Sequence, residues 1–225
     1  NTDLSALLKG RDGVLWIGAR YDGLYRYDPA SGHITHYAHD PADPSSLSSN
    51  EINVLLEDRH GYIWVGTGTG GVSRLDPATG VFTQYRHDPN EAFTTKGDPV
   101  YALLQDRHGT LWIGTRDAGL SRLNPQTQSF EHPAVWNESA FGGATVRALL
   151  EDPEGVLWIG TDRGLGRLDP DAGTLGLYRH QPADPTSLSA GRVLDLYLDR
   201  SGVFWVGTEQ GASYFKWPAP LFYHA

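Results

Sequence analysis

The sequence predicts an all-β fold, a β-propeller of five blades with four antiparallel strands each, and three observations lead there. Five tryptophans, Trp16, Trp64, Trp112, Trp158 and Trp205, recur at intervals of 48, 48, 46 and 47 residues. Each sits in the same phrase: Val14-Leu-Trp-Ile-Gly18, Tyr62-Ile-Trp-Val-Gly66, Thr110-Leu-Trp-Ile-Gly114, Val156-Leu-Trp-Ile-Gly160 and Val203-Phe-Trp-Val-Gly207. The apolar runs around each Trp are too short for helices and are bounded by Gly, Pro, Asp and Asn. Four short strands in a unit of about 40–50 residues describe a propeller blade better than a helical solenoid or a leucine-rich horseshoe.

The second repeat shows the order of elements in full. Ile52 to Glu57 is apolar and β-prone, Asp58-Arg-His-Gly61 is a turn, and Tyr62 to Thr67 is a second strand. Gly68 to Gly70 form a loop, Gly71 to Asp76 a third strand, Pro77-Ala-Thr-Gly80 a turn, and Val81 to Arg86 a fourth strand. Gly13, Gly61, Gly109, Gly155 and Gly202 stand three residues before the Trp, where a tight hairpin needs a positive φ. Asp58, Asp106, Asp152 and Asp199 stand six before it and can accept from turn amides, with Gly10 in that place in the first repeat. Blades are expected at residues 1–39, 47–88, 97–132, 144–180 and 190–225 of one domain, either a closed five-bladed ring or part of a larger propeller. An open arc would expose two apolar blade faces and should self-associate.

Composition narrows the function. The 225 residues carry a formal net charge of −9, which argues against nucleic acid and anionic membrane partners, since both draw affinity from clustered Lys and Arg. With no cysteine there is no disulfide framework, thiolate metal site or thiol nucleophile. No apolar stretch reaches the ~20 residues of a bilayer span, and Asn1-Thr2-Asp3 opens no signal peptide, so the chain reads as soluble. Gly66-Thr-Gly-Thr-Gly-Gly71 has the spacing of a dinucleotide loop but precedes a strand where that loop needs a helix N-terminus. His33, His36 and His39 lie three apart, so on a strand they alternate faces and make a poor metal triplet. No metal site or cofactor is expected.

The repeated residues read as structure and the departures as candidate function. The five Trp side chains are expected to pack between neighbouring sheets. Arg26, Arg74, Arg122 and Arg167 recur in the third strands and read as a solvated face or a ladder of ion pairs. Ligand contacts are expected in loops that open on one face. Between second and third strands these loops carry Arg20 and Tyr21, Arg116 and Asp117, Asp162 and Arg163, and Glu209 and Gln210. Among the connections between blades, Asp40-Pro-Ala-Asp-Pro-Ser-Ser-Leu-Ser48 and Gln181-Pro-Ala-Asp-Pro-Thr-Ser-Leu-Ser189 are near-copies. The other two deviate, one carrying Phe93 and Lys96, the other Trp136, Asn137, Glu138 and Phe141. Trp136 and Phe141 either stack on a ligand or fold back as lids on the blade edges. No nucleophile elbow, zinc-protease motif or phosphate-binding loop occurs, and no catalytic residue is nominated; Asp195 is the most notable acid on an inner strand.

The pattern Asp-x-x-Gly-x-Leu-Trp-Ile-Gly-Thr, then Gly-Leu-x-Arg-Leu-Asp-Pro, spelled almost whole by Asp152 to Thr161 and Gly164 to Pro170, resembles the two-component regulator propeller repeat. Repeat five departs from it, with Tyr214 for Arg and Lys216-Trp217 for Asp-Pro. The resemblance implies a periplasmic sensor propeller of a bacterial hybrid histidine kinase or diguanylate cyclase. Its ligand would be a small molecule or an oligosaccharide, and the transmembrane and kinase or cyclase segments would lie elsewhere in the parent chain. The family motif is structural and carries over no catalytic residue. Two other readings stay open: a propeller lyase or hydrolase acting on a polysaccharide or cyclic peptide, and a ligand-free structural or engineered repeat scaffold.

Overall fold

The computed structural model describes residues 3–85, 99–116, 118–124, 126–137, 141–216 and 222–224. Among them the strands form five separate four-stranded sheets, each with its strands in sequence order. The first sheet is β1 (Leu4–Lys9), β2 (Leu15–Ala19), β3 (Gly23–Tyr27) and β4 (Ile34–Tyr37); the second is β5 (Ile52–Glu57), β6 (Ile63–Thr67), β7 (Val72–Asp76) and β8 (Val81–Tyr85). The third is β9 (Val100–Gln105), β10 (Leu111–Thr115), β11 (Leu120–Asn124) and β12 (Ser129–Glu131), followed by a single helical turn, α1 (Ala134–Asn137). The fourth is β13 (Val146–Glu151), β14 (Leu157–Thr161), β15 (Gly164–Asp169) and β16 (Thr174–Tyr178); the fifth is β17 (Val193–Leu198), β18 (Val203–Thr208), β19 (Gly211–Lys216) and β20 (Tyr223–His224).

Residues group into two compact units, Asn1–Ile113 with Leu123–Glu131, and Gly114–Arg122 with His132–Ala225. In the first unit, Trp16, Leu24 and Val14 of the first sheet pack on Ile52, Ile63, Val65, Leu75 and Phe82 of the second. Trp64 and Val72 of the second sheet pack in the same way on Val100, Leu111, Ile113 and Phe130 of the third. In the second unit, Trp158 and Leu165 meet Val193, Phe204, Val206 and Phe215. A Trp-bearing face thus covers the aliphatic face of the following sheet, and Trp16, Trp64, Trp112 and Trp158 are buried. Trp205 is half-buried.

The hairpin before each Trp turns at a glycine with φ between 82° and 92°, at Gly13, Gly61, Gly109, Gly155 and Gly202. The Asp six residues before the Trp has two tasks. Asp58 Oδ1 accepts from the amides of His60 and Tyr62, and its Oδ2 accepts from the Trp64 indole at 2.8 Å. Asp106, Asp152 and Asp199 hold Trp112, Trp158 and Trp205 by the same bond. In the first sheet Asp12 takes over only the turn, accepting from the Val14 amide.

Candidate functional site

In four sheets the start of the innermost strand is clamped to the loop between the second and third strands. The amides of Arg20, Gly68, Asp162 and Glu209 donate to the carbonyls of Asp3, Glu51, Thr145 and Arg192 at 2.8–3.3 Å. The backbone contact repeats while the side chains above it change. Arg192 and Glu209 form an ion pair at 3.7 Å, Asp162 accepts from the Thr145 amide, and the Glu51 carboxyl occupies the space a side chain at Gly68 would need. Asp3 and Arg20 hold the same two positions in the first sheet with opposite charges.

One residue further along, the inner strand carries an irregularity. The register slips between Leu4 and Ala6, Ile52 and Val54, Val146 and Ala148, and Val193 and Asp195. Such a bulge takes one residue out of the ladder and re-aims its side chain; these residues are Ser5, Asn53, Arg147 and Leu194. In the first unit the re-aimed Ser5 and Asn53, together with Asp3, Leu4, Arg20 and Tyr101, line a cleft of about 450 Å³. That volume suits a small ligand. Ser5 is committed to the wall, its hydroxyl donating to the carbonyls of Ile52 and Gly18. The Asn53 carboxamide makes no hydrogen bond, and its Nδ2 is buried.

The two component regulator propeller profile matches residues 46–69, 96–117, 140–163 and 187–210. Those four segments carry the two component regulator propeller repeat. The first repeat lies outside the matched segments. Two extracellular domains of hybrid two component systems from B. thetaiotaomicron are similar in structure. One has 27% identity and a TM-score of 0.79, with 95% of this chain covered. The other has 24% identity and a TM-score of 0.81, with the whole of this chain covered. This chain spans only 27% and 28% of their lengths. Virginiamycin B lyase from Staphylococcus aureus shares the fold at 15% identity, with a TM-score of 0.71 over 97% of this chain and 71% of the lyase. No curated protein matches the chain in sequence. The fold is an all-β propeller, with five blades in this chain. Among the described residues no helix is long and apolar enough to cross a membrane.

The repeats distribute the candidate residues unevenly. Arg20 lines the cleft, while Tyr21 stands exposed on the same loop. Arg163 reaches the Gly142 carbonyl at 3.2 Å, Glu209 pairs with Arg192, and the Gln210 amide donates to Thr208 Oγ1. Arg116 is exposed at the end of β10. Asp117, Phe93, Lys96, Glu138 and Trp217 lie outside the described residues, as does the side chain of Asn137. Trp136 and Phe141 fold inward: both are fully buried, with ring centroids 5.8 Å apart, and the Arg179 guanidinium lies 5.3 Å from the Phe141 ring. Neither ring offers a face to a ligand, because the cost of leaving two large aromatic side chains in water exceeds that of ordering the loop over them.

Two of the third-strand arginines lie against aromatic rings: Arg74 lies over Tyr62 and Trp64 at 4.7 and 5.7 Å, and Arg167 lies 5.9 Å from Trp158. They are paired across the strand with Trp, so the guanidinium reaches an aromatic face before it reaches an acid. The linkers Asp40–Ser48 and Gln181–Ser189, exposed over most of their length, also pin sheets together. Leu47 and Leu188 are buried in the cores, and the carbonyls of Ser45 and Thr186 accept from the amides of Phe82 and Phe222.

Sequence reasoning missed two features. At the end of the first two sheets away from the cleft, Arg11 bonds Glu57 at 3.0 Å and the Asp58 and Arg59 carbonyls, and Arg59 reaches the Asp106 and Arg107 carbonyls at 2.8 and 3.0 Å. The signal was available as a basic residue at a fixed turn position followed, one repeat later, by Glu57 or Gln105 at a strand end. The second is a row across the fifth sheet. Leu8–Trp16–Arg26–Thr35 and Leu56–Trp64–Arg74–Thr83 pair strand to strand in the first two sheets. The matching row in the fifth is Tyr197–Trp205–Tyr214–Tyr223. Its rings sit 5.0 and 5.5 Å apart from Trp205 to Tyr223. Asp195 lies beside this row in a groove of about 180 Å³, its Oδ1 accepting from the Leu196 amide.

Proposed function

We propose that this chain is a non-catalytic ligand-sensing module from the extracytoplasmic part of a bacterial signalling receptor, and that the cleft at Asp3, Ser5, Arg20, Asn53 and Tyr101 is where the ligand sits. The observation that carries this reading is a cleft of ligand size lined by a carboxylate, a guanidinium, a carboxamide and two hydroxyls, so a ligand with hydrogen-bonding groups of its own gains affinity and orientation there. The groups around it can bind and orient, and none of them forms a nucleophile and base pair. Likeness to extracellular domains of hybrid two component systems supports the receptor context.

The test is a thermal-shift panel of oligosaccharides, peptides and small metabolites, followed by calorimetry on any compound that raises the melting point. A compound that binds only the folded state raises it in proportion to the logarithm of its concentration over Kd. Binding that Asn53→Ala and Arg20→Gln both weaken is expected. A stabilising compound whose Kd neither substitution alters would move the site elsewhere, and turnover of any compound would replace the sensor reading by an enzyme.

A further inference from the structure

We infer that the cleft takes a small zwitterion, a molecule carrying a carboxylate and an amine a few bonds apart, of the α-amino acid class. This rests on the cleft being the ligand site and adds the chemistry of its occupant. Arg20 and Asp3 both line the cleft, and among the described residues no ion pair or side-chain hydrogen bond engages either of them. The same two positions in the fifth sheet, Glu209 and Arg192, close on each other at 3.7 Å. In the first sheet the two charges stay apart, one cation and one anion facing a shared space.

Each group excludes a different class of ligand. A lone carboxylate would meet the Arg20 guanidinium but be repelled by Asp3, and a lone amine would meet Asp3 but be repelled by Arg20. A molecule with both charges satisfies both walls. The guanidinium presents a planar fork that matches a carboxylate through two parallel bonds. Asn53, lifted out of the ladder by the bulge between Ile52 and Val54, adds a carboxamide to the lining. Tyr101 and Leu4 supply the less polar part of the lining, where a side chain of the ligand would lie.

The experiment uses the whole chain and three matched probes: leucine, 3-methylbutylamine, which lacks the carboxylate, and 4-methylpentanoate, which lacks the amine. Calorimetry is expected to show leucine binding about tenfold to a hundredfold more tightly than either probe, the loss of one charge-assisted bond. Arg20→Gln should erase the preference for leucine over the amine, and Asp3→Asn the preference for leucine over the acid. Both residues are exposed, and circular dichroism checks that each variant is folded. Equal affinity for all three probes, or preferences that survive both substitutions, overturns the zwitterion. If neutral oligosaccharides or peptides bind through Arg20 and Asn53 while no amino acid does, the cleft stands and its occupant is wrong. If no compound of any class binds, both readings fall.

Discussion

Replacing the glycine after Ile or Val in the Trp phrase by alanine should damage the protein at every sheet whose Trp face is covered and leave the fifth unharmed. A Cβ built at Gly66 would lie 2.5 Å from Val54 Cγ1 and 2.7 Å from Val100 Cγ1. At Gly18 it would lie 2.5 Å from Ile52 Cγ2, and at Gly160 2.7 Å from Val193 Cγ1. All four obstacles are β-branched and have little freedom to rotate away. At Gly207 the nearest atom would be Asp195 Cβ at 3.6 Å, an ordinary contact. None of these four glycines has a positive φ, so only the space differs.

Overpacking a core by one methyl costs about 1–3 kcal/mol. Against this, Gly to Ala recovers roughly 0.4–1 kcal/mol from the unfolded chain. Gly66→Ala and Gly160→Ala should therefore lose up to about 2.6 kcal/mol, and Gly207→Ala should gain up to about 1 kcal/mol. At roughly 2–4 °C per kcal/mol for a chain of this size, the two groups separate by several degrees in opposite directions. Urea melts followed by circular dichroism and by Trp fluorescence give the midpoints, and agreement between the probes tests whether one transition describes a repeat array. Combining Gly160→Ala with Val193→Ala isolates the contact, because relief of the clash makes the pair cost less than the sum of its parts. Additive costs in that cycle, or a Gly207→Ala loss equal to that of Gly66→Ala, would refute the steric argument.

Two further outcomes follow from the same packing and hydrogen bonds. Leu47→Ala and Leu188→Ala remove fully buried linker side chains and should each cost about 2–5 kcal/mol, whereas Leu7→Ala, at an exposed site, should stay within about 0.5 kcal/mol; urea midpoints decide. Asp199 is held down to about 2, below its ordinary 3.8, by the Ser201 hydroxyl, the Val203 amide and the Trp205 indole. Because the folded value is the lower one, its stabilisation is fully present above 3.8 and is lost as pH falls towards 2. Asp199→Asn should flatten the fall of the melting point across that window, and an Asp199 carboxyl that titrates at its ordinary value by NMR would contradict the assignment.

The fold was legible because one strong signal repeats. Trp in a constant phrase fixes the second strand of each sheet, and glycine and proline mark the turns around it. The Asp six residues earlier was legible as a turn former but not as the indole's acceptor, since a fixed offset does not reveal that the hairpin brings the two side chains together. Of the cleft, Arg20 could be named from its loop, while Asp3 and Asn53 could not. A bulge leaves no mark on a pattern of period two, so Asn53 reads as an ordinary position on an apolar strand. Trp136 and Phe141 lie in a deviant linker, and composition cannot distinguish an aromatic that waits for a ligand from one that closes a core.

The departures from the repeat sort by what covers them. Where another sheet packs on the Trp face, the cross-strand row keeps Leu, Trp and Arg, and the glycine beside it has no room for a methyl. In the fifth sheet the Trp205 ring is only half-buried and Gly207 has room, and there the row becomes Tyr197, Trp205, Tyr214 and Tyr223. Relaxed packing and changed chemistry occur on the same face, as expected if contact with a neighbouring sheet is what holds the repeat constant. The cleft obeys the same logic at the other end of the strand. The backbone clamp from Arg20 to Asp3 is kept in the same form as in the second, fourth and fifth sheets, while the side chains above it are free to differ. The scaffold fixes where those two side chains stand and leaves their charge open, so the chemistry at this end of the strands can change while the fold does not.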